Sequence, residues 1–582
     1  MTQSDFEQVG QATDLRSECP TAVRVGGRSI GLFHDEGAFF ATDNRCPHMG
    51  FPLTDGSVSD GILTCPWHHA RFELGCGDTL DPFADDVQTY PVRIENGAVY
   101  VRPEPVGTSE PERRWSERLE HGLEESLDLI VAKAVLGLAD CDVDRAVPLR
   151  IGAEFGTQYR AAGWGRGLTT LAAMANLSEH LAPSDRPRAM YTGLRTVASD
   201  CAGEPPYFPQ DPLTNDSLSH TRLQSWFRDT IAVRDADGAE RIIRGAIDSE
   251  PDPGILAKFF IEAATAHRYL DGGHRLDFTN KAFELLDAIG WSYAGGILPS
   301  LVPGLATANR AEESAAWRRP IDLITMIEGA IDRLPRRIDA GRDHAWNEPS
   351  DLQSVLLGDD PAAIVDRLET AISNGATPQD LSSTVATASA TRIVQFGTAN
   401  EFRDWNAVHH TYSYANAVRA LADRTSTSAL YRAIFDGAMR VYLDRFLNVP
   451  PTPIPDPSAE MAEADLLAEI DGLFDVESDD SIDRAGQLVA RHLHGGGDSE
   501  PLIQLLGGRL LREDIGFHPR QNFEAAVSMY RHGSRESDRH LHLIATARYL
   551  VAHAPTRRSG EQTFHIAERL HRGERIHRSG TE

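Results

Sequence analysis

Lysine is almost missing from this chain: of its 57 basic residues only Lys133, Lys258 and Lys281 are lysine, the rest being arginine. We read that imbalance as coding bias more than chemistry. Positive charge as a whole is scarce, with 57 basic against 86 acidic residues and a net charge of −29. A surface that negative repels nucleic acid and anionic lipid, so neither is expected as a partner. Cysteine is also sparse. Of six, Cys19, Cys76, Cys141 and Cys201 are scattered without pairing spacing, which argues against a disulfide framework and for a reducing compartment. No apolar run reaches membrane-spanning length; the best, Leu127 to Ala139, is short and carries Lys133. The opening Met1-Thr-Gln-Ser-Asp-Phe lacks the basic and apolar regions of a signal peptide. The expectation is a soluble, cytoplasmic protein. Its 582 residues leave room for about two to four domains.

The two remaining cysteines each stand beside a histidine. Cys46-Pro-His48 is followed, after sixteen residues, by Cys65-Pro-Trp-His68. Two thiolates and two imidazoles suit a thiophilic metal centre. A mononuclear zinc site is one reading, but zinc fingers pair cysteine with cysteine and histidine with histidine. Here each half contributes one of each, which lets the cysteines hold one iron of a [2Fe–2S] cluster and the histidines the other. In these four residues the chain resembles the Rieske family over about residues 1–105. The resemblance implies Cys46, His48, Cys65 and His68 as cluster ligands, with His69 outside the ligand set. Respiratory Rieske proteins carry two further cysteines that form a disulfide beside the cluster. Phe51 and Trp67 occupy those positions here, so the chain looks like the ferredoxin and ring-hydroxylating-oxygenase type. Fewer polar donors near the sulfurs imply a potential toward the low end of the Rieske range, roughly −150 mV.

Strand-length runs at Thr21–Val25, Arg28–Phe33 and Ala38–Thr42 are punctuated by Gly26-Gly27 and Asp35-Glu-Gly37, and Val92–Val101 alternates around Asn96-Gly97. Both are hairpin signatures. A polar, Pro-rich stretch follows from Pro103, and from Trp115 the texture turns helical. Helical spacing recurs at about 168–182, 255–270, 280–290, 361–375, 404–423, 427–447, 481–494 and 538–553. The predicted fold is a small antiparallel all-β Rieske domain (1–105), a linker (106–114) and a large all-α region. The latter divides into a helical domain (115–449), a Pro-rich linker (450–460) and a C-terminal helical segment (461–582) packed on it.

A second metal in the helical region is not written as a motif. The Asp-x-x-His-x₄-His pattern of ring-hydroxylating oxygenases is met only by Asp271-Gly-Gly-His274, with no histidine following at the needed distance. Scattered candidates are His267, with Asp271 one turn on to orient it, His409 and His410, and His518 in Gly516-Phe-His-Pro. Trp405, His409, Tyr412 and Asn416 share one helical stripe, and His542, Tyr549 and His553 another. Gly163-Trp-Gly165-Arg-Gly167 lacks the strand and closing acid of a dinucleotide loop and reads as a tight turn. Without flavin or nicotinamide signatures, the electron donor is expected to be a separate reductase or ferredoxin. The leading expectation is an oxidoreductase passing single electrons to chemistry in the helical region, with a small organic molecule as substrate and oxygenation as one form of that chemistry. The alternative is a non-catalytic electron-transfer subunit whose helices dock a partner enzyme; a redox sensor is the weakest option.

Replacing Phe51 and Trp67 together by cysteine should raise the cluster's potential once the disulfide has formed. Protein-film voltammetry on the oxidised variant checks this, and an unchanged potential with the bond confirmed would remove the argument from its absence.

Overall fold

The computed structural model describes residues 6–81, 83–106, 111–141, 143–213, 218–249, 251–455, 465–533, 535–572 and 574. By contact density the chain forms two compact units, residues 1–151 with 561–582, and residues 152–560.

The first unit carries the ten strands found among the described residues. They are β1 Glu7–Gln11, β2 Thr21–Val25, β3 Arg28–Asp35, β4 Ala38–Asp43, β5 Ser57–Ser59, β6 Ile62–Thr64, β7 Arg71–Glu73, β8 Thr89–Tyr90, β9 Val92–Glu95 and β10 Ala98–Val101. They pair antiparallel in three small sheets, ordered β1-β10-β9, β2-β3-β4-β8 and β5-β6-β7. The hairpins fall where their turn residues put them. Val25 pairs Arg28 across Gly26-Gly27, and Glu95 pairs Ala98 across Asn96-Gly97. Asn96 and Gly97 have φ of 50° and 81°, the left-handed pair a two-residue turn needs to match strand twist. Alternation then buries one face: Val25, Ile30, Leu32, Tyr90, Val99 and Val101 form one core. A second core gathers Phe33, Leu53, Leu63, Phe72 and Val87 around the buried Cys46 and Cys65.

Helices Pro111–Glu124 and Asp128–Asp140 belong to this unit too. Arg114 and Arg118 reach Asp86 at 2.5 and 2.9 Å. Buried Lys133 pairs with Asp85 and donates to the Pro47 carbonyl. The compact units therefore do not follow the breaks at 106–114 and 450–460: a polar composition marks a turn in the chain but says nothing about the ion pairs that fasten what comes next. The Pro-rich stretch is likewise fastened where it is described, Thr452 donating from its amide to the Gln395 carbonyl (3.1 Å) and from its hydroxyl to that of Phe396 (3.0 Å).

The second unit is helical, with no strand among its described residues. Helical periodicity finds Pro253–Ala266, Trp405–Arg424, Ala429–Leu443 and Glu536–Ala552 to within a few residues. It misses Pro378–Val394 and Phe517–His532. The first is buried on nearly every side, with small Ser, Thr and Ala residues in place of an apolar stripe. The second buries Arg520, Gln521, Asn522 and Glu524, so polarity there does not mark a solvent face.

A charged cluster lies inside this unit. Lys281 Nζ donates to Glu284 at 2.8 Å and Glu524 at 2.6 Å, Asn176 bonds the same two carboxylates, and Gln521 donates to Asp277. Burial outweighs the pull of Lys281 and pushes the Asp277 carboxyl from 3.8 up to about 7. The folded chain keeps a proton there that the unfolded chain releases near pH 4. Asp277 thus lowers stability progressively as pH rises from about 4 to about 7, by ~4 kcal/mol in total. In Asp277→Asn that slope should vanish. Its urea midpoint, followed from pH 4 to 8, should gain on the natural protein as pH rises, whereas parallel curves would refute the assignment.

Candidate functional site

Cys46 and His48 stand on the loop between β4 and β5, Cys65 and His68 on the loop between β6 and β7. Each loop is closed by backbone hydrogen bonds: the Cys46 amide donates to the Phe51 carbonyl (2.7 Å), Gly50 to Cys46 (2.7 Å), and Cys65 to Ala70 (2.8 Å). This folding brings the four side chains together. The two sulfurs share a hydrogen bond, and the amides of His48 and Met49 point at Cys46, those of Trp67 and His68 at Cys65. The bond the sulfurs share draws the Cys65 thiol down to about 6 and, with burial, pushes Cys46 up. The imidazoles of His48 and His68 lie 4.8 Å apart, nearly perpendicular. Burial first, then His68 and Lys133, lowers His48 to about 4. Its Nδ1 is buried without a partner. Two adjoining thiols ringed by backbone amides and a buried imidazole nitrogen without a partner are what a metal–sulfur group between these loops requires. The sulfurs face the core, while His68 is exposed with Trp67 against it at 4.5 Å. His69, exposed and left-handed at φ 61°, stands apart from this arrangement.

A second histidine group forms within the helical unit. His274 heads the His274–Ile289 helix, His410 lies in Trp405–Arg424, and His518 is at the start of Phe517–His532. One ring nitrogen from each falls within 4.8 Å of the others. The Nε2 atoms of His410 and His518 are 3.0 Å apart, and the rings of His274 and His410 are 4.4 Å apart. Burial is the first cause that depresses all three, His274 to about 4, His518 to about 3 and His410 well below its ordinary value. They are neutral bases at physiological pH. His409 packs 5.3 Å from His518 and makes a long contact, 3.4 Å, with Asn522. Phe278 and Phe517 flank His274.

The chain enters His274 through an unusual turn. Tyr269, Asp271, Gly272 and Gly273 have φ of 43°, 46°, 67° and 96°. For Tyr269 and Asp271 that conformation costs about 1–3 kcal/mol each. Hydrogen bonds hold it: Asp271 accepts from Arg275 Nε (2.5 Å) and from the amide and side chain of Asn309 (2.7 and 3.0 Å). A Cβ at Gly272 would meet His410 Nδ1 at 3.5 Å, and one at Gly273 the Tyr414 ring at 3.1 Å.

Of the sequence candidates, His410 and His518 are thus brought together and His409 stands beside them. His267 is elsewhere. It caps the Pro253–Ala266 helix in an extended conformation and bonds Glu312 through Nδ1 at 2.7 Å. Asp271 does not orient it, being engaged by Arg275 and Asn309; the expected helical turn between the two does not exist. His542 bonds the Tyr412 hydroxyl (2.8 Å), and His553 bonds the Tyr549 carbonyl (2.7 Å), both satisfied within the core. His274 was visible as the end of Asp271-Gly-Gly-His274, but its partners come from distant helices, not from the residues that follow it.

A profile of the Rieske [2Fe-2S] domain matches residues 5–91. The ferredoxin component of the naphthalene 1,2-dioxygenase/salicylate 5-hydroxylase systems of Ralstonia sp is 40% identical over 83 residues, 14% of this chain and 80% of that protein. Human apoptosis-inducing factor 3 is 40% identical over 90 residues, but the match spans only 15% of either chain. Among solved structures, the ferredoxin of carbazole 1,9a-dioxygenase from Nocardioides aromaticivorans IC177 is 26% identical, over 17% of this chain and all of that one, with a TM-score of 0.17. The two converging Cys-His loops lie inside the matched span, and the chain belongs to the Rieske [2Fe-2S] family, the cofactor of its N-terminal domain being a [2Fe-2S] cluster.

Proposed function

We propose that the chain is a Rieske-type oxidoreductase in which single electrons pass from the cluster to redox chemistry on a small organic molecule in the helical unit. The supporting observation is the polarity of the two loops: both thiols are buried, His48 is half-buried and His68 is exposed. Cys46 and Cys65 would hold one iron as thiolates, and His48 and His68 the other. When bound, the cluster supplies storage for one electron. The surrounding residues do the rest. Four backbone amides donate to the two sulfurs, which stabilises added negative charge. Lys133 grips the Pro47 carbonyl between Cys46 and His48, holding the first loop in place. Exposed His68 and its neighbour Trp67 form the edge through which a docked reductase or ferredoxin would deliver the electron. The relatives named as ferredoxin components support electron carriage. Because the match covers most of such a protein, a stand-alone carrier docked by its helices to a partner enzyme is the second reading.

Anaerobically purified protein should contain about two irons and two acid-labile sulfides per chain and give a Rieske EPR spectrum after dithionite reduction. One zinc and no sulfide would end this reading. His68→Cys should keep the iron, lower the potential and flatten its pH dependence, since an ionisable imidazole is removed. Voltammetry from pH 6 to 10 reads both, and an unaltered curve would show that His68 is not a ligand.

A further inference from the structure

We propose that His274, His410 and His518 together bind one redox-active transition-metal ion, iron(II) being the best fit, so that the helical unit has a metal centre of its own. The inference deepens the electron-transfer reading and rests on it for the choice of metal.

Geometry carries the site. Three helices from separate parts of the chain each contribute one imidazole, and the three nitrogens lie within 4.8 Å of one another. Nitrogens bound to a common metal sit about 2.1 Å from it. Two of them 3.0 Å apart, as His410 and His518 Nε2 are, then subtend about 90°, the angle between adjacent positions of an octahedron; a tetrahedral site would need about 3.4 Å. Only one of two facing nitrogens can donate a hydrogen bond if both rings are neutral, whereas a cation uses the lone pairs of both at once. His274 also has a buried ring nitrogen, Nδ1, without a hydrogen-bond partner. Burial keeps the three rings in the neutral form a metal requires.

The strained entry to His274 points the same way. A left-handed run at Tyr269, Asp271, Gly272 and Gly273 is stabilised by Asp271 bonding both Arg275 and Asn309. Strain of this kind persists where a side chain must be aimed.

Ligand chemistry selects the metal. An all-imidazole set excludes calcium and magnesium, which take oxygen, and suits iron, copper, nickel or zinc. A one-electron donor on the same chain has no use for zinc. One electron from the reduced cluster would convert iron(III) to iron(II), the cluster returning to its oxidised form. Three protein ligands leave the remaining positions of an octahedral ion for small molecules.

The test uses the full chain, loaded anaerobically with iron(II) alone, desalted, and assayed for iron and sulfide. The expected result is about one iron beyond the two that accompany two sulfides, giving a ferrous-nitrosyl EPR signal with nitric oxide. His410→Gln and His518→Gln should each lose the extra iron and the nitrosyl signal while keeping the Rieske spectrum. His542→Gln, altering a buried histidine outside the group, should keep all three. Two irons per two sulfides in the natural chain, with no nitrosyl signal, would overturn the metal site and leave the electron-transfer reading standing. Extra iron retained in both glutamine variants would overturn it as well, and a tightly held zinc that iron(II) cannot displace would overturn the choice of metal. If the cluster itself were absent while the extra ion bound, the electron-transfer reading would fail and the site would stand. Should a glutamine variant not fold, cobalt(II) titration of the natural chain, followed by its visible absorption, decides instead: no saturable one-to-one band overturns the proposal.

Discussion

The ion pair of Lys281 with Glu524 joins the helix headed by His274 to the helix that begins at Phe517 and carries His518. Lys281 is 1% exposed and Glu524 5%, so neither charge has water as an alternative. Removing one partner of such a pair typically costs about 3–5 kcal/mol, because the other is left uncompensated. The pair therefore fixes how these two helices slide and turn on each other. Other buried pairs act similarly: Thr411 donates to Asp444 (2.7 Å) from the helix that carries His410, and Arg268 pairs with Asp436 (3.2 Å) just ahead of the strained turn. Three imidazoles on three helices stay in register because polar groups beside them have one satisfactory arrangement.

The same buried polarity decides what was legible. Cys46, His48, Cys65 and His68 are readable because each Cys-His pair lies on one short loop, so the chemistry is local in the chain. The sheets were readable from Gly26-Gly27 and Asn96-Gly97, where the turn conformation itself demands those residues. In the helical unit, inference from apolar spacing works for Pro253–Ala266 and fails for Phe517–His532, whose inward face is Arg520, Gln521, Asn522 and Glu524. A face built of such residues reads as solvent-facing, and the helix that bears His518 disappears into apparent loop. Asp271-Gly-Gly-His274 was in plain view, but a motif search looks along the chain, and the neighbours of His274 lie across it.

The matched Rieske span ends at residue 91, yet the first ligand loop is braced by residues beyond it. Lys133, from a helix that follows, donates to the Pro47 carbonyl, and Arg45 donates to the Leu570 carbonyl at 2.8 Å. The carrier domain of this chain is thus not the isolated sheet assembly of a small ferredoxin. Helices on either side of the helical unit in sequence close over the loop that holds Cys46 and His48.

Lys133 and Lys281 are each about 1–5% exposed and engaged with carboxylates, and the chain has only one further lysine, the half-buried Lys258. Side-chain amines on this protein are thus almost wholly interior. An amine-directed reagent, whether a fluorescent ester, a crosslinker or an acetyl donor, would meet one side-chain target in the folded state and three after unfolding. Lysine reactivity in this molecule is a gauge of whether its interior ion pairs are intact.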